Sequence, residues 1–388
     1  MFLILILYPS DETDVKILEN QPEKSVIPKK MKKIAVVGAG ISGLSMANYL
    51  EKHKIDYHIY ERRKKKDLAG HGFLIPQEGM EYLYQILDPD LLLQHGNFLK
   101  KYIQYSHTGK MLAEKELNNV FAISRHSLID LLVQNISPEK ITYEQTITPD
   151  DRRNGKLKLS DGTDIDADAA IVSDGSKSRI RRSLFKSETL KAVRESEVVN
   201  IIQDKEIADS IENDFIKFHH EEGGLTFGIL KLSADTILWY SQFDNEKYTI
   251  NECSPENLRK YMLEVFQNWH PLVPSIIQKS DYKNVHLWCV YELEKLNPFY
   301  KDNIVFIGDA AHPLIPFTSQ GVTSALKDSF TLTKYLVEDK NIKEAFRKYE
   351  EKRKPEIEVH INNGRTLLNQ FLLPLSQQSE NILPISYK

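Results

Sequence analysis

Three glycines, Gly38, Gly40 and Gly43, follow the apolar run KIAVV at residues 33–37, and an acid, Glu61, closes the next apolar run, DYHIY at residues 56–60. Glycine at these three positions has a specific use. Gly38 allows a tight turn, Gly40 lets backbone approach a pyrophosphate, and Gly43 lets the following helix pack close to the strand. The start of that helix offers unpaired N–H groups and the positive end of its dipole to phosphate oxygens. A carboxylate at the end of the second strand can accept hydrogen bonds from both hydroxyls of a ribose. Ser42 within the turn and Arg62 beside the acid are candidates for the same ligand. The chemistry indicated is the binding of a dinucleotide, and both FAD and NAD satisfy this motif.

Two later segments bear on which it is. In NIVFIGDAAHPLIPFTSQGVTSALKDS, residues 303–329, Asp309 follows a strand-like run, Pro313 and Pro316 stiffen a loop, and Gln320-Gly321 opens a helix continuing through Val322. An acid there can bind a ribityl or ribose hydroxyl. The helix start would stabilise the negative edge of a reduced flavin. In AAIVSDGSKSRIRRSL, residues 169–184, Asp174-Gly175 follows another apolar run.

These residues must be carried by strands and helices in a definite order. Residues 33–60 read as strand, helix, strand, a βαβ unit. Residues 76–94 and 126–136 read as helical, and Asp161-Gly162 reads as a turn between short strands at 156–159 and 163–166. From about 190 to 295 the chain is β-rich, with an amphipathic helix over 255–268. Near 303 the buried-strand pattern returns, and a long helical tail covers roughly 320–372. The expected fold is α/β: a split, Rossmann-like FAD-binding domain (31–75, 105–185 and 295–350) with an inserted antiparallel substrate domain (76–104 and 186–294). A C-terminal helical tail (351–388) completes it. Residues 1–30 read as a dispensable leader, and the run Arg62 to Lys66 as a solvated loop.

Composition narrows the function. A net charge of −4 over 388 residues gives no basic field for nucleic acid. The apolar run Phe2 to Leu7 is too short to span a bilayer, so no stable membrane insertion is expected. Cys253 and Cys289 form no CxxC pair. The twelve histidines show no metal-ligand spacing. No catalytic triad is evident, which suits a protein whose chemistry is carried by a cofactor.

The glycine turn, the Asp174-Gly175 pair and the stretch from Gly308 to Gly321 together resemble the class A FAD-dependent aromatic hydroxylases. That family is of the para-hydroxybenzoate hydroxylase type and includes the tetracycline-inactivating monooxygenases. The resemblance runs over roughly residues 32 to 355. ISRHSLIDLL is similar to the family's Arg-x-x-Leu segment, which places Arg125 near the FAD. GHGFLIP is similar to its flavin-side loop, with Gly72 the matching glycine, and FQNWHPLVPSII is similar to a common family helix end. The chain departs from the pattern at Ser319, where glycine is usual, at Thr323 for asparagine, at Lys327 for an acid, and at Ser173 for a small apolar residue or glycine. His312 belongs to the third motif and reads as structural.

The resemblance implies an FAD-dependent monooxygenase. NADPH or NADH would act as a transient co-substrate and O2 as the oxidant, and a flavin C4a-hydroperoxide would transfer one oxygen atom to a small, aromatic or polycyclic substrate. It implies a cytoplasmic enzyme. No second glycine fingerprint exists to hold NAD(P)H permanently. Substrate contacts are expected from the β-rich insert, where Phe218, His220, Phe227, Trp239, Tyr240 and Gln242 are candidates. Ordinary sheet packing is the competing reading of each. Rival readings on the same fold are an FAD-dependent reductase, a halogenase, whose Trp-x-Trp pair is missing since the tryptophans stand at 239, 269 and 288, and a flavin-bound ligand-protecting protein.

Overall fold

The computed structural model describes residues 33–65, 71–149, 157–186, 190–250, 254–339 and 341–379. The proposed leader at 1–30, Lys66, Cys253 and the end of the C-terminal tail lie outside the described residues.

Short, uniformly apolar runs form a six-stranded sheet. Its spatial order is Tyr300–Lys301, Ile304–Phe306, Ala169–Val172, Ile34–Val37, Tyr57–Tyr60, Ile141–Thr142. All pairings are parallel except that of Tyr300–Lys301 with Ile304–Phe306. Burial on both faces explains why IAVV, AAIV and IVF carry no polar alternation. The helix Ile41–Lys52 packs on the helix Gly321–Glu338.

The parallel register gives the arrangement its use. Ile34 pairs with both Tyr57 and Ala169, and Ile304 pairs with Ala170. The strands ending at Val37, Tyr60, Val172 and Phe306 therefore all release the chain at the same sheet edge. Ligands of open α/β sheets bind outside these carboxyl ends.

An eight-stranded sheet forms the other layer. Its order is His286–Leu293, Leu190–Gln203, Thr236–Phe243, Leu225–Lys231, Phe215–His219, Gly96–Ser106, Met111–Ser124, Gly72–Ile75. It takes in Gly72–Ile75 and Met111–Ser124, ranges expected from sequence to lie with the nucleotide-binding segments. Pairing between strands so distant in the chain leaves no local trace in the sequence.

Strand alternation separates two faces. On one, Phe218, Phe227, Trp239 and Phe243 pack beneath the helices Pro255–Phe266 and Leu272–Lys279, with Met262, Phe266, Val273 and Ile276 filling the layer. On the other lie Phe215, Leu230 and Leu238, with Tyr240 against them. The latter face turns toward the flavin-side loop: a Cβ on Gly72 would meet Leu238 Cδ1 at 2.8 Å. The helical tail is two helices, Gly321–Glu338 and Ile342–Leu372, the second starting at an Asn341 cap and containing Pro355.

Candidate functional site

The glycine turn is built as its spacing requires. Gly38 has a φ of +102°, and a Cβ there would lie 2.6 Å from the Ser173 carbonyl oxygen. A Cβ on Gly43 would lie 1.9 Å from the Gly38 carbonyl oxygen. Both glycines are therefore demanded by the protein's own packing. Gly40 is different: a Cβ there would meet only the Arg125 guanidinium, at 3.8 Å. Ser173 explains its own departure from the family pattern, since its hydroxyl donates to the Val37 carbonyl at 2.8 Å and so ties the second motif to the turn.

Glu61 is buried, and its carboxylate is fixed by the backbone it follows. Oε2 accepts from the Ala39 N–H and Oε1 from the Arg63 N–H, each at 2.7 Å. The acid is thereby pinned to the glycine turn. Arg62 beside it is exposed. Glu61→Ala is expected to weaken FAD by about ten- to a hundred-fold, since hydrogen bonds to a charged group contribute roughly 1.5–3 kcal/mol. The chain should remain folded. Fluorescence titration of the apoprotein checks this, and unchanged affinity would mean the acid plays no part in the site.

Arg125 opens the helix Arg125–Gln134, capped by Ser124, and its backbone N–H donates to His71. Its guanidinium lies 5.7 Å from the centre of the Phe73 ring and makes no hydrogen bond among the described residues. Burial lowers its pKa, while Asp309 and Glu61 act in the opposite sense. A cation facing two acids across the glycine turn suits a site for the polar parts of a dinucleotide. Gly72 pairs with Ser124 next to this helix start.

At the second motif, Gly175 has a φ of +87°. Asp174 accepts from the Arg179 N–H through Oδ2, while its other oxygen is buried without a partner. Desolvation raises its pKa, against Ser178 and Arg181. Arg181, which the sequence reading did not single out, is buried and spans the second and third motifs. It donates to the carbonyls of Asp309 at 3.1 Å, Ala310 at 2.6 Å and Ser176 at 2.6 Å. No local signal marks it among the three arginines of RIRR.

In the third motif Asp309 is exposed. Desolvation raises its pKa, opposed first by His312 and then by Arg125 and Arg181. A Cβ on Gly308 would meet the Ser42 hydroxyl at 2.1 Å, so this motif packs directly on the glycine-turn helix. Pro316 is half-buried, and Val322 is buried in the first turn of Gly321–Glu338. Gly321 itself is exposed, and a Cβ there would meet nothing within 4 Å. Gly40 and Gly321 thus stand at two helix starts where the protein's packing gives little or no reason for glycine. Together with the unpartnered Asp174 oxygen and the Arg125 guanidinium, they fit the phosphates and polar groups of FAD.

His312 is buried and bonded at 2.6 Å to Asp328, which also accepts from the Gly308 N–H and from Arg353. These contacts hold the motif in place. Ser319 sits at φ +53°, ψ 24°, the left-handed region where glycine is favoured. That strain costs about 1–2 kcal/mol, part of which glycine would return as chain entropy. Ser319→Gly is expected to raise the melting temperature slightly. A lowered melting temperature would show that contacts of the serine outweigh the strain.

The substrate candidates divide by strand parity. Gln242 and Tyr240 lie on the face toward the flavin-side loop. Phe218, Phe227 and Trp239 do not: they lie on the opposite face, in the core under the two helices. Trp239 stacks on Phe227 at 5.2 Å and donates to Ser280. His220 stands beyond the strand end, against His107 and Trp269. Glu197 and Lys217, charged residues within apolar β-runs, are buried and bond Gln242, with Glu195 buried beside them.

Comparison with known proteins agrees with this geometry. The FAD binding domain family matches residues 31–363, and the chain belongs to that family. The chain is similar to the 6-hydroxynicotinate 3-monooxygenase of Pseudomonas fluorescens, 27% identical, with 79% of this chain and 83% of the relative covered. Among solved structures it is similar to Klebsiella pneumoniae HpxO complexed with FAD and uric acid. That match has a TM-score of 0.81 and 19% identity, over 89% of this chain and 90% of that one. It is also similar to the tetracycline destructase Tet(51), with a TM-score of 0.68 and 20% identity, over 90% and 93% of the two chains. At such identities the structural matches establish the fold. The protein is a class A flavin monooxygenase, an oxidoreductase with FAD as cofactor and a small molecule as substrate. Among the described residues no helix is long and apolar enough to cross a membrane.

Proposed function

We propose that this enzyme inserts one atom of O2 into a small aromatic or heteroaromatic ring, with NADPH or NADH as a transient reductant. The observation that carries the reading is that the glycine turn, Glu61 and the second and third motifs all follow strand ends at one sheet edge, with little or nothing against a Cβ at Gly40 or Gly321. The relative named for 6-hydroxynicotinate and the structural neighbour holding uric acid both support a nitrogen heteroaromatic. When bound, FAD supplies the reduction of dioxygen and the oxygen transfer.

The chain's residues supply the rest. Gly40 and the N-terminus of Ile41–Lys52, which Gly43 lets pack against the turn, would take the pyrophosphate, and Glu61 the adenosine ribose. Arg125 offsets phosphate charge. Asp309 takes a flavin-chain hydroxyl, with Asp174 and Gly175 beside it. The N–H groups at Gly321 and Val322, at the start of Gly321–Glu338, would favour negative charge on a flavin held there. The substrate lies between the flavin and the sheet face carrying Tyr240 and Gln242. The need for NAD(P)H fits a cytoplasmic enzyme.

A family member with one dinucleotide fold has no permanent seat for the nicotinamide. Substrate binding is therefore expected to speed NAD(P)H-dependent flavin reduction by at least about ten-fold, equivalent to about 1.4 kcal/mol off the barrier. Stopped-flow reduction with and without a ring substrate, followed by product mass, tests this. Fast reduction with no product carrying an added oxygen atom would favour the reductase reading.

A further inference from the structure

The sheet face that carries Gln242 also holds charged side chains with no part in the cofactor site. Glu195, Glu197, Lys217 and Gln242 come from three strands, and all are buried. Lys217 Nζ donates to Gln242 Oε1 at 2.7 Å, and Gln242 Nε2 donates to Glu197 Oε1 at 2.9 Å. Lys217 Nζ lies 5.6 Å from the centre of the Tyr240 ring and 5.8 Å from that of Phe317. Phe317 follows Pro316 in the loop of the third motif, so the cluster adjoins the cofactor site. Glu195 is enclosed, yet neither of its carboxyl oxygens makes a hydrogen bond among the described residues. Buried polar atoms are seldom left in that state, and those that are call for a functional explanation.

Charge decides what kind of ligand fits. The titratable groups facing the cluster are the two carboxyls, the Lys217 ammonium, His219 on the same strand, the phenols of Tyr240 and Tyr102, and Cys289 opposite Ser196. Burial lowers His219 to about 3, with Lys217 adding to the effect, so the imidazole is neutral. Burial raises Glu195 well above its ordinary value, and Glu197 raises it further, against Lys217 and Gln242. Burial raises Glu197 to about 7, against Gln242 and Lys217. Burial lowers Lys217 to about 8, against Glu197 and Glu195. The one ammonium donates to Gln242 and is shared by two carboxyls. A ring carboxylate would add a third acid to this enclosed cluster, with that single cation to offset it. A neutral ring with N–H, amino or hydroxyl groups would meet carboxyl oxygens that can accept from it.

We propose that Glu195 and Glu197, held by Lys217 and Gln242, form the specificity-determining end of the substrate site, which takes a planar ring presenting hydrogen-bond donors and bearing no carboxylate. Tyr240 and His219, part-exposed on the same face, mark where the ring reaches the cluster. The proposal rests on the reading that substrate lies between this face and the flavin.

The test uses the full chain loaded with FAD and two matched pairs of rings. One pair is 2-pyridone and 6-hydroxynicotinate; the other is 4(1H)-quinolone and its 3-carboxylate. Binding is read from perturbation of the flavin absorbance. Each uncarboxylated ring is expected to bind at least about ten-fold more tightly than its partner. Glu195→Gln, nearly isosteric, should narrow that preference at least about five-fold with FAD content and melting temperature unchanged. Equal or tighter binding of the carboxylated rings overturns the proposal, as does failure of both uncarboxylated rings to bind. An unchanged preference in a folded, FAD-loaded Glu195→Gln enzyme also overturns it. If that variant fails to fold, the wild-type comparison decides alone. Oxygen transfer to the carboxylated rings, bound as tightly as their partners, would overturn the proposal and uphold the monooxygenase reading. Tight binding of the uncarboxylated rings without oxygen transfer to any ring would do the reverse.

Discussion

Gly43→Ala should lose FAD binding by breaking the fold, whereas Gly321→Val should impair FAD binding or flavin reduction in a protein that stays folded. The added methyl at Gly43 would stand 1.9 Å from the Gly38 carbonyl oxygen, inside a contact between backbone and backbone. Neither side can yield without moving the helix Ile41–Lys52 off the sheet. Overpacking of this kind costs roughly 1–3 kcal/mol where side chains can shift, and more where they cannot. At Gly321 a Cβ meets nothing within 4 Å, and the residue sits in the first turn of a helix, where a non-glycine residue is intrinsically better by several tenths of a kcal/mol. Gly321→Val should therefore melt within about 1 kcal/mol of the parent. Its branched side chain would project where the cofactor's ring edge has to approach the backbone. FAD affinity, or the rate of flavin reduction where FAD is retained, should fall at least about a hundred-fold, or about 2.7 kcal/mol. Melting curves with FAD titration on both variants separate the two cases. A Gly321→Val enzyme with full affinity and full reduction rate would show that this helix start does not face the cofactor.

The contrast between those glycines also shows where sequence was informative. The cofactor site is a set of loop residues placed one to three positions after buried strands. A buried parallel strand is a short continuous apolar run, and glycine or an acid at its end is a local mark. Gly38, Glu61, Asp174 and Asp309 could all be found in this way, because the parallel sheet brings every strand's carboxyl end to one edge. The insert sheet follows different logic. Its strands alternate, so each offers two faces, and the sequence within a strand does not say which face the helices cover. Phe218, Phe227 and Trp239 have the residue types of an aromatic site, but the helices Pro255–Phe266 and Leu272–Lys279 take that face as core. Gln242, one residue from Phe243 along the strand, points the other way. Arg181 and Asp328 were illegible for a further reason. The partners that tie Arg181 to the third motif lie 128 and 129 residues away, and those of Asp328 lie 16 to 25 residues away, with nothing local to mark the pairing.

Asp328→Asn should cost about 3–5 kcal/mol, the usual consequence of stripping one partner from a buried ion pair. Asp328 is fully enclosed. One oxygen accepts from His312 at 2.6 Å and from the Gly308 N–H at 2.7 Å, and the other accepts from Arg353 Nε at 2.8 Å. Arg353 is equally buried and also bonds Glu356, which pairs with Lys327 at 3.1 Å. Lys327 in turn pairs with Glu78 at 2.7 Å, so the family's usual acid at that position is replaced by a cation bridging two acids. Burial alone would raise the Asp328 carboxyl, but His312 and Arg353 outweigh it and bring the pKa down to about 2. A folded-state value below the unfolded one means that the group stabilises the fold above about pH 4 and loses that contribution as pH falls toward 2. Acid unfolding of the parent should steepen in that window, and the Asn variant should lack this component. The network also predicts coupling. Adding Arg353→Gln to Asp328→Asn should cost much less than the sum of the two single changes, because the guanidinium left unpaired by the first is removed by the second. A double-mutant cycle by chemical denaturation should give an interaction of at least about 2 kcal/mol. Single costs that add to within about 0.5 kcal/mol would show two independent contacts rather than one network. Because Asp328 holds the Gly308 N–H, the residue beside Asp309, the single variant should also release FAD more readily at temperatures where it remains folded.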